Sequence, residues 1–85
     1  MNLDKTLKRI EKLANAIDGM FTVKNIITEV KSDTEDDYYS VPETERDETL
    51  YYKAESLDAI EDYLGDMIHD LNKMIKEYVN ECSGN

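Results

Sequence analysis

The chain has 85 residues, 20 of them acidic and 10 basic, for a formal charge of −10. That length allows one domain with a modest core, and 40% hydrophobic residues in periodic order favour folding over disorder. The acidic surplus disfavours direct contact with nucleic acid or an anionic membrane and points to basic partners.

The opening MNLDKTLKRIEKL lacks the apolar core of a signal peptide, and no stretch approaches the ~20 apolar residues of a membrane span. One cysteine, Cys82, excludes an intrachain disulfide and fits a reducing, cytoplasmic setting. The charge is unevenly placed. Residues 1–32 hold four acids and six bases, residues 33–70 hold fourteen acids against Arg46 and Lys53, and residues 71–85 hold two of each.

Leu3, Leu7, Ile10, Ala14 and Ile17 step by four and three, which predicts a first helix over residues 3–18. Asn2 can cap its start, and Gly19 can take the left-handed conformation that ends it. Phe21 to Lys31 is rich in β-branched residues and reads as a strand, with a bulge near Asn25 where the alternation changes phase. Val23, Ile26, Ile27 and Val30 also fit a helical step. Ser32 to Asp37 reads as a polar turn, and Tyr38 to Val41 as an edge strand stopped by Pro42. Glu43 to Glu48 reads as a charged loop, and Thr49 to Lys53 as a third strand.

From Ser56 to Glu81 the pattern is strongest. Leu57, Ile60, Leu64, Met67, Leu71, Met74 and Tyr78 recur by threes and fours, widened by Ile68 and Ile75, so the segment reads as a long amphipathic helix capped by Ser56. The expected fold is therefore α+β: an N-terminal helix, a three-stranded antiparallel meander and a long C-terminal helix, both helices on one sheet face. It makes one compact domain over residues 1–82 with a frayed tail at 83–85. Such a helix is ~39 Å long, more than a three-stranded sheet ~15 Å wide can cover. The remaining apolar stripe must pack on the first helix as an antiparallel pair or join two C-terminal helices in a homodimer.

Catalytic chemistry is missing from the pattern. His69 falls opposite Met67 and Leu71 on the polar side of the helix, and Cys82 follows the apolar stripe near its end. No glycine-rich loop holds a phosphate, and one histidine with one cysteine cannot complete a zinc site. A calcium loop starting at Asp33 needs glycine at position 38 and glutamate at position 44, where the chain has Tyr38 and Thr44. The reading is a non-enzyme with no cofactor or metal.

The unusual feature is a row of Asp58, Asp62, Asp66 and Asp70 with Glu61 beside it. At four-residue spacing these carboxylates lie ~6 Å apart along a helix, an arrangement that costs a few tenths of a kcal/mol per pair. Glu35, Asp36 and Asp37 form a second cluster. Tyr38 and Tyr52, the outward members of the doublets Tyr38-Tyr39 and Tyr51-Tyr52, are candidate contacts. Carboxylates held this way can occupy a basic groove that otherwise binds phosphates, so the expected function is an acidic inhibitor of a nucleic-acid-binding protein. Small size, strong acidity and absent catalytic groups resemble the inhibitors of bacteriophages and mobile elements, including anti-CRISPR and anti-restriction proteins. The resemblance is one of type and assigns no residue a role. The alternative is an interaction or regulatory subunit, or an immunity- or antitoxin-type protein, that binds through the apolar seam of the C-terminal helix.

Overall fold

In the computed structural model, which describes residues 2–83, the chain is an antiparallel helical hairpin. Helix α1 spans Leu3–Tyr39 and helix α2 spans Glu48–Ser83. The link between them holds one 3₁₀ turn, Glu43–Glu45. Asn2 caps α1 as expected, accepting the Lys5 N–H at 3.1 Å. The predicted fraying of residues 83–85 lies outside the described residues at 84 and 85.

The α+β expectation is overturned, because the described residues contain no strand. The three expected strands, residues 21–31, 38–41 and 49–53, are helical except at Ser40 and Val41. Both helices pack on each other rather than on one sheet face. Local β-propensity loses here to tertiary spacing. Thr6, Ile10, Leu13, Ile17, Met20, Lys24, Ile27, Lys31, Thr34 and Tyr38 step by four and three without a break, and every one is buried or half-buried. Leu50, Ala54, Leu57, Glu61, Leu64, Ile68, Leu71, Ile75, Tyr78 and Cys82 do the same on α2. These are the core positions of a two-helix coiled coil. The threonines adapt by donating their hydroxyls to the carbonyl four residues back: Thr6 to Asn2, Thr22 to Asp18, Thr28 to Lys24 and Thr34 to Val30.

Three boundaries also move. Gly19 lies inside α1 rather than ending it, since the seam on either side of it continues in phase. The turn expected at residues 32–37 is helix, and the chain reverses only at Pro42, which lacks the N–H that a continued helix needs. Asp47, not Ser56, opens α2. Its Oδ1 accepts the Thr49 N–H at 3.0 Å and the Thr49 hydroxyl at 2.7 Å. Those two bonds hold the Asp47 carboxyl below its ordinary pKa.

The hairpin is a rod of 65 × 15 × 13 Å with a radius of gyration of 19.2 Å. A compact chain of this length has about 12 Å. Among the described residues only Ile17, Leu64 and Ile68 are buried hydrophobics, and Thr6 is buried more completely than any of them. A pair of helices has no third layer to close over its flanks, and that leaves most apolar side chains half-covered.

Gly65 sits mid-helix, where an added Cβ meets only the Lys24 Nζ, at 3.9 Å. Gly65→Ala should raise stability by about 0.5–1 kcal/mol, because glycine costs that much relative to alanine in a helix interior. Thermal unfolding followed by circular dichroism checks it. A lowered melting temperature would mean that the bare backbone is needed for close approach of the helices.

Candidate functional site

The two helices define two long flanks beside the seam, and the candidate residues divide between them. One flank is polar. Lys31 occupies a seam position on α1 and reaches across to Asp58 at 3.0 Å and Glu61 at 2.6 Å. The Thr28 hydroxyl also donates to Glu61. Bonds from Lys31 and then Thr28 draw the Glu61 carboxyl below its ordinary pKa, and bonds to Glu61 and Asp58 raise that of Lys31. Lys24, Lys31, Asp58, Glu61, Asp62, Gly65 and Asp66 line one shallow groove here.

The aspartate row is not a straight line on one face. Four residues advance a helix by ~40° beyond a full turn, so Asp58 to Asp70 winds through ~120°. Asp58 is tied to Lys31, while Asp62, Asp66 and Asp70 are exposed and make no ion pair among the described residues. Glu61 is not a surface member of the row but a half-buried seam residue.

Toward the turn the polar flank becomes aromatic. Lys31, Glu35, Tyr38, Tyr39, Tyr51, Ala54, Glu55 and Asp58 line a cleft of about 420 Å³. The Tyr38 ring lies 4.9 Å from Tyr39 and 5.6 Å from Tyr51, and Tyr51 lies 5.8 Å from Tyr52. The Arg46 guanidinium sits 5.4 Å from the Tyr38 ring and 5.1 Å from the Tyr39 ring, a cation–π arrangement that seals the turn. The Tyr38 hydroxyl donates to Glu48 at 3.2 Å. Burial, with Glu48 beside it, pushes the Tyr38 phenol up, and the Glu55 hydrogen bond does so for Tyr51. Of the second predicted cluster, Glu35 lines this cleft while Asp36 and Asp37 are exposed outside it.

The opposite flank is apolar. Val30, Thr34, Tyr52, Lys53, Ser56 and Leu57 line a groove there, so Tyr52 lies across the rod from Tyr38. Ile60, Met67 and Met74 continue that flank at 41%, 43% and 44% exposure, against Val23 at 47% and Val30 at 46% on α1. The single stripe expected on the C-terminal helix therefore splits. Leu57, Leu64, Leu71 and Tyr78 turn inward, and Ile60, Met67 and Met74 are left outside. Sequence reading missed this flank, and also Arg46, Tyr39 and Tyr51 at the turn. The signal was present in the unbroken series through Glu61, Ile68, Ile75 and Cys82, whose neighbours at 60, 67 and 74 then fall beside the seam.

His69 is exposed, Cys82 is a half-buried free thiol, and no group of three His, Cys, Asp or Glu among the described residues is placed to hold a metal ion. Among the described residues no helix is long and apolar enough to cross a membrane. No family model, curated protein or solved structure matches the chain.

The Lys31–Glu61 pair has a signature in pH. The depressed Glu61 pKa contributes stability that is fully present above its ordinary value of 4.5 and lost as pH falls through the folded value. The raised Lys31 pKa contributes stability present below 10.5 and lost as pH rises through its folded value. Glu61→Gln should therefore melt below the parent at neutral pH, with the gap between them shrinking as pH drops below 4.5. Melting curves of both proteins from neutral to acid pH check this. A gap independent of pH would show that the pair does not stabilise the fold.

Proposed function

We propose that the chain is a non-catalytic binding protein whose acidic turn half engages a basic protein surface of the kind that otherwise holds nucleic acid. The charge distribution carries this reading. Residues 19–70 form the turn half of the rod and hold fifteen acids against Lys24, Lys31, Arg46 and Lys53, a net of −11. Only Asp58 and Glu61 of those acids are ion-paired among the described residues. Spread over residues 48–70 of α2, ~35 Å of helix, this is about one net charge per 3 Å. Duplex DNA carries one per ~1.7 Å, so the turn half offers a basic groove roughly half the linear charge of its usual ligand. Asp62, Asp66 and Asp36 supply accessible carboxylates, and the Tyr38–Tyr39–Tyr51 cluster stiffens the end that bears them. With its one thiol free, we assign the cytoplasm as its compartment.

Capture of bacterial lysate proteins on the immobilised chain at low and high salt identifies the partner. Displacement of a DNA duplex from that purified partner then tests the mechanism. Binding of the chain to that partner should weaken steeply between ~50 and ~200 mM salt, as DNA binding does for proteins that neutralise many phosphates. Asp62→Lys with Asp66→Lys should weaken it at least tenfold. Binding indifferent to salt, or unchanged by those reversals, overturns the proposal.

A second reading is favoured by the exposed flank of Ile60, Met67 and Met74. There the chain is an interaction subunit whose apolar surface makes the contact. Charge reversal at Asp62 and Asp66 would then leave partner binding intact, and Met67→Asp would abolish it.

A further inference from the structure

The hairpin exposes 6401 Å². A compact monomer of its mass exposes about 5,200 Å². Part of the excess of about 1,200 Å² has an address. Val23, Ile26 and Val30 on α1 and Ile60, Met67 and Met74 on α2 are all more than two-fifths exposed, and their helical phase puts them on one side of the rod. That side has a footprint of 65 × 15 Å, about 1,000 Å², room for an interface of the ~800 Å² per partner that stable complexes bury.

We infer that this flank docks on the same flank of a second copy of the chain, end for end, to make an antiparallel four-helix bundle. Charge selects both the occupant and its direction. The same face of α1 carries Lys5, Arg9 and Lys12 toward the open end, then the apolar belt, then Asp33 and Asp37 toward the turn. A two-fold axis crossing α1 near residue 21, level with Met67 on α2, brings Lys5 beside the partner's Asp37 and Arg9 beside the partner's Asp33. The same axis crosses α2 near Met67 and brings Lys53 beside the partner's Glu81. A surface with apolar residues at its centre and opposite charges at its two ends is complementary to itself under such a rotation. The parallel alternative stacks two turn halves, each of net −11, at a helix spacing of about 10 Å. That is close to the Debye length of ~8 Å at physiological salt, so the repulsion is poorly screened. End for end, each acidic half lies along the nearly neutral open half of its partner. The bundle uses the apolar flank and leaves the polar flank, with Asp58, Asp62 and Asp66, facing outward.

Sedimentation equilibrium of the full chain should give twice 9.9 kDa. Met67→Lys with Ile60→Lys should shift it to monomer, while Leu7→Lys, on the other side of α1, should remain dimeric. Orientation is read on the parent sequence carrying Cys82→Ser and Ser83→Cys, with a nitroxide on the new thiol. Two labels sixteen residues beyond Met67 on antiparallel copies lie roughly 50 Å apart at 1.5 Å per residue, and within about 25 Å if the copies run parallel. A monomeric parent, a dimer untouched by the Met67 and Ile60 changes, or the short label distance each overturns the inference. None of these results bears on salt-dependent capture of a basic partner, so the two proposals fail separately.

Discussion

The structure depends on one spacing rule maintained across a turn. Two helices remain together only while each presents a side chain to the other at every third or fourth position, and both series do so from end to end of the rod. Contacts between the helices keep a constant register: Thr28 with Glu61, Lys24 beside Gly65, and Tyr38 with Tyr51 all have residue numbers that add to 89. The link supplies the other half of the constraint. Pro42 stops α1, Asp47 starts α2, and Arg46 stacked over Tyr38 and Tyr39 fixes the angle at which the chain returns.

The pattern for this was partly legible. The helix from Ser56 to Glu81, its inward leucines, the Asn2 cap and the antiparallel pairing of the two helices all follow from periodicity. The middle of the chain was not legible by the same means. Phe21 to Val30 holds seven β-branched or aromatic residues in ten, and local preference for strand is strong there. What overrides it is non-local: Lys24, Ile27 and Lys31 are in phase with Ile17 and Met20 before them and with Thr34 and Tyr38 after. Two of those three are lysines, so a search for apolar spacing passes over them. A lysine stem is nonetheless apolar enough to sit in a seam while its ammonium reaches the edge. Glu61 hid the α2 seam in the same way, and the stripe was consequently drawn through Ile60 instead.

Seam and flank divide the labour of the molecule. The open half of the seam is apolar, with Ile10, Leu13, Ile17 and Met20 facing Ile68, Leu71, Ile75 and Tyr78. The turn half admits Lys24, Lys31, Thr34 and Glu61 among its apolar seam residues, and it is also where the net charge of −11 resides. Concentrating acids at one end of a rod raises self-repulsion there, since like charges at helical spacing each cost a few tenths of a kcal/mol. Aromatic stacking at the turn and the Lys31 bridges offset that repulsion locally. The candidate residues of the sequence reading, Glu35, Tyr38, Asp58, Asp62 and Asp66, all belong to this end or to its polar flank. Tyr52 and Asp70 turn away from it, because neighbouring residues on a helix diverge by ~100° and rows of four drift.

A polar seam is a poor source of stability but a good source of register. An all-leucine seam in the turn half would pair equally well after a slip of one heptad. Lys31 removes that freedom. In the observed register it lies between Asp58 and Glu61, with Thr28 bonding the same glutamate. Slipped by seven residues in one direction, its ammonium would face Leu64, Gly65 and Ile68; slipped in the other, Leu50, Tyr51 and Ala54. Neither set contains a carboxylate within the seam, and Glu61 would be left half-buried without its cation. Leaving such charges unpaired is far more costly than the pair is favourable, so the interaction acts by penalising the wrong alignments. A coiled-coil hairpin with few buried layers and a repelling end needs this more than a large core does, because its apolar contacts alone distinguish poorly between neighbouring registers.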